Sequence, residues 1–88
     1  MVYYESVVRK AITKGKIPRS VATTIHNAFL SLDLTRDFAL FDIKEMKGEY
    51  RRTYYRLRKG KYRAIFYVDD DLFVVYVGKR DEVYRLWE

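Results

Sequence analysis

The chain has 88 residues, no cysteine, one histidine and one proline, and 18 Lys plus Arg against 12 Asp plus Glu, for a formal charge of +6. A chain of this size forms one domain, residues 1–88, with a thin core and no room for a large enclosed active site. Thiol chemistry, thiolate zinc sites and His-pair acid/base catalysis are excluded, so chemistry is expected on an open face that a bulky partner covers. The longest apolar run, Leu72 to Val77, is six residues, against roughly 20 for a membrane span. With Glu5, Arg9 and Lys10 near the start, no signal peptide is expected, and the expected compartment is the cytoplasm.

The elements follow in chain order. Glu5 to Lys14 reads as a helix with Val8, Ala11 and Ile12 on one stripe, ended by Gly15-Lys16. Pro18 opens a second helix in which Val21, Ile25, Ala28, Phe29 and Leu32 recur at helical spacing. Asp33 to Asp37 break that pattern, and Phe38 to Met46 includes a strand that ends at Lys47-Gly48. The period then changes to two. Tyr54–Lys59, Tyr62–Val68 and Leu72–Val77, separated by Gly60-Lys61 and by Asp69 to Asp71, read as an antiparallel meander, with Met1 to Tyr4 as a short edge strand. Asp81 to Trp87 closes the chain as a helix in which Asp81 is the expected N-cap and Val83, Leu86 and Trp87 share a face. Helices before strands imply an α+β fold: two N-terminal helices on one face of a twisted antiparallel sheet, plus a short C-terminal helix.

Charge is concentrated. Lys47 to Arg63 holds eight cations against one acid, Glu49, a local excess of seven that leaves about −1 for the remaining residues. Tyr50, Tyr54, Tyr55 and Tyr62 are interleaved with these cations, an arrangement suited to single-stranded RNA, whose bases stack on rings while its phosphates meet Arg. A solvated basic strand pair on a charge-rich protein has the same composition.

Register converts the charge into a candidate site. A two-residue type II′ turn at Gly60-Lys61 makes opposite residue numbers sum to 121. Leu57 then faces Ala64 and Tyr55 faces Phe66 on a core face, while Arg58 lies across from Arg63 and Arg56 from Ile65 on the other. Like charges directly opposite cost on the order of 0.2–1 kcal/mol, which an anion held between them would offset. Arg80, beside the N-terminus of the last helix, and Tyr84, one turn on, form a second half: a cation beside a phenol favours the ionised form needed in a general base. Packing of Tyr84 on the sheet is the structural alternative. His26 reads as a surface or packing residue, Asp69 to Asp71 as turn formers, and Glu45 and Glu82 as surface acids.

The segments Tyr55-Arg56-Leu57-Arg58, Gly60-Lys61-Tyr62-Arg63-Ala64-Ile65-Phe66, Val77-Gly78-Lys79-Arg80 and Glu82-Val83-Tyr84 resemble the RelE/ParE toxin superfamily, in its RelE-like branch. Lys44-Glu45-Met46-Lys47-Gly48 is similar to that family's Leu-(Lys/Arg)-Gly element, with Met46 in the Leu place. The resemblance covers residues 41 to 85; before them the agreement is only two helices ahead of a sheet. It implies the toxin of a type II toxin–antitoxin system, a metal-independent, ribosome-dependent endoribonuclease that cuts mRNA in the A site. It implies Tyr84 as general base and Arg80 and Arg63 as the scissile-phosphate clamp. Arg56 and Arg58 stand where well-known members have Lys, which leaves the general acid open among Lys59, Lys61 and groups outside the chain. Relatives that pair a carboxylate with a C-terminal His differ, because Lys44 holds that carboxylate place. Lys47, Arg51, Arg52, Lys59 and Lys61 are the expected RNA- or ribosome-binding cations, a small antitoxin the expected protein partner, and no cofactor or metal is expected. A ParE-like DNA gyrase inhibitor and a non-catalytic RNA-binding or degenerate toxin are the alternatives.

Overall fold

The computed structural model describes residues 1–87. The chain runs β1 (Val2–Tyr4), α1 (Ser6–Thr13), α2 (Arg19–Thr35), a 3₁₀ turn at Phe38–Leu40, β2 (Ile43–Glu45), β3 (Tyr55–Lys59), β4 (Tyr62–Asp69), β5 (Asp71–Lys79) and α3 (Arg80–Trp87). The sheet order is β1-β5-β4-β3-β2. The meander is antiparallel, and β1 joins its edge in parallel with β5, pairing Val2 to Tyr4 with Leu72 to Val74. No helix among the described residues is long and apolar enough to cross a membrane.

Alternation along β3 and β4 sends one set of side chains to each face. Toward α1 and α2 lie Leu57, Ala64 and Phe66 with Leu72, Val74 and Val77 of β5, and onto them pack Val8, Ile25, Phe29 and Leu32, all but Val77 at most 2% exposed. Phe29 meets Phe66 edge to face at 5.0 Å, an arrangement that aromatic quadrupoles favour. Helix α2 runs past the expected break at Asp33. It ends only when Arg36 adopts a left-handed conformation, φ 54°, with its guanidinium on the Asp33 carboxylate and the Asp70 carbonyl.

The opposite face carries a second, smaller core. Met46, Ile65, Val75 and Val83 are buried there, ringed by Tyr50, Tyr54, Tyr67, Tyr76 and Trp87. A β-bulge makes this possible: Ile65 pairs with Tyr76 and Phe66 with Val74, so the intervening Val75 and its neighbour Tyr76 both serve this side. Helix α3 lies on the shelf through Val83 and Trp87, residues i and i+4. Leu86, expected on the same face, is 66% exposed, because so narrow a contact stripe excludes a residue 100° away from Trp87. Asp81 is not the N-cap either. The helix begins at Arg80, directly after β5, and Asp81 and Glu82 occupy its first turn, where acids complement the helix dipole.

His26 is an exposed residue whose Nδ1 hydrogen-bonds the Tyr4 hydroxyl at 2.8 Å. The Asp69-to-Asp71 run forms the β4–β5 turn, with Asp70 at φ 58°, and Asp71 and Asp33 hold the N-terminal ammonium at 2.6 and 2.9 Å.

Two outcomes test these packing arguments. A Cβ on Gly78 would lie 2.7 Å from Glu82 Oε2 and 2.8 Å from the Tyr76 ring, so Gly78→Ala should cost about 1–3 kcal/mol, read from urea unfolding followed on Trp87. An unchanged midpoint would refute the close approach. Burial pushes the Tyr4 phenol up to about 12 from the ordinary phenol range. Its protonated form is therefore favoured in the fold, and its contribution is complete below about pH 10 and lost as pH rises toward 12. The stability difference between the wild type and Tyr4→Phe should shrink across that window in urea titrations.

Candidate functional site

The β3–β4 hairpin sets the geometry. Tyr55↔Phe66, Arg56↔Ile65, Leu57↔Ala64, Arg58↔Arg63 and Lys59↔Tyr62 are partners, each pair summing to 121 as the turn requires. Gly60 has φ +57°, whereas the only positive-φ non-glycine residues described are Arg36 and Asp70; Lys61 does not need that conformation, as in a type II′ turn. Arg56, Arg58 and Arg63 thus point to the face opposite α1 and α2.

Arg63 is the anchor. It is only 8% exposed, and its Nη1 donates to the carbonyls of Gly60 at 2.9 Å and Tyr62 at 3.0 Å. Burial first, then the charges of Arg58, Arg56 and Arg80, pull its guanidinium below the usual arginine range, while an ionised Tyr84 acts in the opposite direction. The charges of the other four predicted site residues thus all reach this one guanidinium. Arg80, the first residue of α3, lies over the Tyr84 ring at 5.3 Å, a cation–π contact. Tyr84 is 42% exposed and not sealed into the core. A hollow of about 340 Å³ opens at the hairpin tip, lined by Gly60, Lys61, Arg63, Lys79, Arg80 and Asp81. Arg63 and Arg80 line this open hollow with Lys61 and Lys79, and Arg56 and Arg58 extend the same face, an arrangement that can take a phosphate-sized anion.

The remaining basic residues divide. Lys61 lines the hollow. Lys59 shares the α1/α2 face with Leu57 and so points away from it. Arg51 and Arg52 line a separate depression with Tyr67 and Asp69, and Arg52 lies 3.9 Å over the Tyr67 ring. Tyr67 is four residues along β4 from Arg63, about 13 Å. Lys47 is exposed in the loop after β2. The local excess of seven charges is therefore not one site.

The interleaved tyrosines are half-buried and divide between the two cores. Tyr55 and Tyr62 pack on the main core and Tyr50 and Tyr54 on the α3 shelf, where Tyr50 donates its hydroxyl to the Trp87 carbonyl. Alternation explains this: a half-buried strand turns every second ring inward, and the Tyr50–Tyr54 loop is drawn onto Trp87.

Two residues of the face escape a reading confined to the hairpin. Asp42 bonds Arg58 Nε through Oδ2 at 3.1 Å and accepts the Arg58 backbone N–H at 2.9 Å. Lys44 lies directly across from Arg56, adding a cation to the arginine face. The signal for both is the β2–β3 register, in which partners sum to 100 and residue 42 faces residue 58.

No protein-family profile matches the sequence, and no curated protein matches it. Solved structures do match. A chain of the RelB–RelE antitoxin–toxin complex from Methanococcus jannaschii superposes with a TM-score of 0.75 at 23% identity, over 98% of this chain and 99% of that one. A chain of the archaeal RelE–RelB complex from Pyrococcus horikoshii OT3 gives 0.70 at 23% identity, over 90% and 92%. The chain has the RelE-like fold. In this fold the α+β expectation holds, and the RelE-like scaffold brings the hairpin tip and the start of α3 to one end of the sheet.

An anion that neutralises the cluster should stabilise the protein. At ten times its dissociation constant, phosphate or sulfate would contribute about 1.4 kcal/mol, several degrees in Tm for a domain this small. Chloride at equal ionic strength should give less, and Arg63→Met should abolish the difference. Equal shifts for both anions would refute the receptor.

Proposed function

We propose that this protein is the toxin of a type II toxin–antitoxin system, a ribosome-dependent endoribonuclease that cuts mRNA in the A site and so arrests translation. The observation that supports the reading is the buried Arg63 with Arg58 directly opposite it, Arg56 on the same face, and Arg80, which lies over the Tyr84 ring, lining the same hollow. A small antitoxin whose acidic segment covers this face is the proposed partner. The two superposed structures, both RelB–RelE complexes, support it.

In the proposed reaction the Tyr84 phenolate oxygen takes the proton of a ribose 2′-OH. The 2′-oxygen attacks the adjacent phosphorus and the bond to the 5′-oxygen breaks, leaving a 2′,3′-cyclic phosphate and a 5′-hydroxyl. Arg63 and Arg80 hold the non-bridging oxygens as their charge grows, a differential stabilisation worth roughly 10²- to 10³-fold for each donor. Arg56 and Arg58 extend the clamp. Arginine is a poor proton donor to the leaving oxygen, so that proton falls to a titratable cation of the same end of the molecule: Lys44 opposite Arg56, or Lys61 and Lys79 in the hollow. Nucleophile and phosphate already belong to one substrate, so the reaction needs positioning and charge more than a metal.

In a translation extract, the wild type should produce codon-phased ends on ribosome-bound message. Arg80→Ala and Tyr84→Phe should each lower cleavage about 10²-fold or more with the fold intact by circular dichroism. Undiminished cutting by both variants, or loss of DNA supercoiling with intact message, would overturn the reading.

A further inference from the structure

Strand β1 ends early. It pairs with β5 only as far as Val74, and the outer edge of β5 beyond that point faces α1 across a groove of about 720 Å³. Lys10, Lys14 and Lys16 line one wall, Lys79 the other, with Tyr62 and Tyr76 between them. Lys79 also lines the arginine hollow, so the groove and the hollow meet at one residue.

The helix dipole accounts for part of this charge. Lys10 lies in the last turn of α1 and Lys14 caps it, where cations are stabilised, but Lys16 lies past the helix and Lys79 belongs to another element. None of these four lysines takes part in an ion pair among the described residues. The single acid of the lining, Glu82, is turned to the Tyr76 hydroxyl, whose oxygen lies 3.3 Å from Oε2. Cations brought together from two distant segments without acidic partners form a linear anion track, in contrast to the compact receptor at the hairpin tip.

We propose that this groove binds the sugar-phosphate backbone of single-stranded RNA, carrying it past Lys79 and along α1 away from the arginine hollow. The inference rests on the RNA reading above and gives that site a direction. Four lysines from two segments, with no ion-pair partner among the described residues, fit a run of phosphates better than a single ion. A linear polyanion gains from each cation it meets by releasing its own counterions, so binding has a countable signature in salt.

The experiment uses the full chain with Lys10, Lys14 and Lys16 all changed to Gln, and 2′-O-methylated RNA that cannot be cut. Fluorescence anisotropy across salt concentrations compares a dinucleotide, which fills only the hollow, with an octanucleotide. Single strands lose about 0.7 in the log–log slope per phosphate contact, so the triple variant should lower the octanucleotide slope by about 2 and leave the dinucleotide slope unchanged. An unchanged octanucleotide slope with normal thermal stability overturns the track. So does a variant that loses affinity for polyglutamate while binding RNA as the wild type does, which would assign the groove to an acidic polypeptide. Failure of the nuclease reading appears separately, as absent mRNA ends with the slope difference intact; absence of salt-dependent RNA binding by the wild type ends both.

Discussion

The arrangement at this end of the molecule depends on one cross-strand pair, Arg58 opposite Arg63. Two guanidinium groups in register on one sheet face repel each other, and each needs compensation for the hairpin to close. The chain supplies it unequally. Arg58 has the Asp42 carboxylate, in an exposed ion pair of the kind that contributes little to stability. Arg63, buried, bonds the neutral carbonyls of its own turn, and no carboxylate pairs with it among the described residues. Its position is held by geometry rather than by an ion pair among the described residues, which is the combination an anion-binding reading of this face needs.

The second core serves the same end. Val83 and Trp87 fasten α3 to Ile65, Val75 and the ring of tyrosines, and the flank of the same short helix beside that stripe then presents Arg80 and Tyr84. With eight residues, α3 would scarcely be helical alone, since isolated helices this short are marginal in water. Its order comes from docking. The position of the phenol over which Arg80 lies is consequently set by packing at Trp87, about 4.5 Å further along the helix, and by the missing Cβ of Gly78 that admits Glu82 and Tyr76.

Much of this was legible in the sequence where short-range rules apply. The Gly60-Lys61 turn fixes a register, and the register fixes which side of the sheet each arginine takes. The helical stripes of Val8 and of Ile25 to Leu32 likewise follow from periodicity. What escaped depends on long-range pairing or on competition between faces. Asp42 and Lys44 enter the site through a β2–β3 register that no tight turn announces. Tyr55 and Tyr62 lie on the helical side because a ring beside an arginine in a strand takes the other face, and Lys59 lies there for the same reason; Tyr50 and Tyr54 stay on the arginine side but pack onto the α3 shelf. Lys10, Lys14 and Lys16 carried no signal at all, because their relation to Lys79 exists only after α1 packs against β5.

The fate of the aromatic rings bears on selectivity. Of the tyrosines, phenylalanines and tryptophan described, only Tyr3 and Tyr84 are more than a third exposed, and Tyr3 stacks on Phe73 in a row with Tyr67, far from Arg63. On the arginine face the rings of Tyr50, Tyr54, Tyr67, Tyr76 and Trp87 are half-buried around the α3 shelf, and Tyr84 is the exposed ring. Phosphate contacts position a nucleic acid without reading it. Under the proposed function, arginines that grip phosphates would hold an RNA strand without choosing a base, and the choice of where to cut would fall to whatever presents the strand. An open, strongly cationic face of this kind suits a substrate already held in a defined conformation by a larger body. It is poorly suited to free RNA, which it would bind in many registers with no one phosphate favoured.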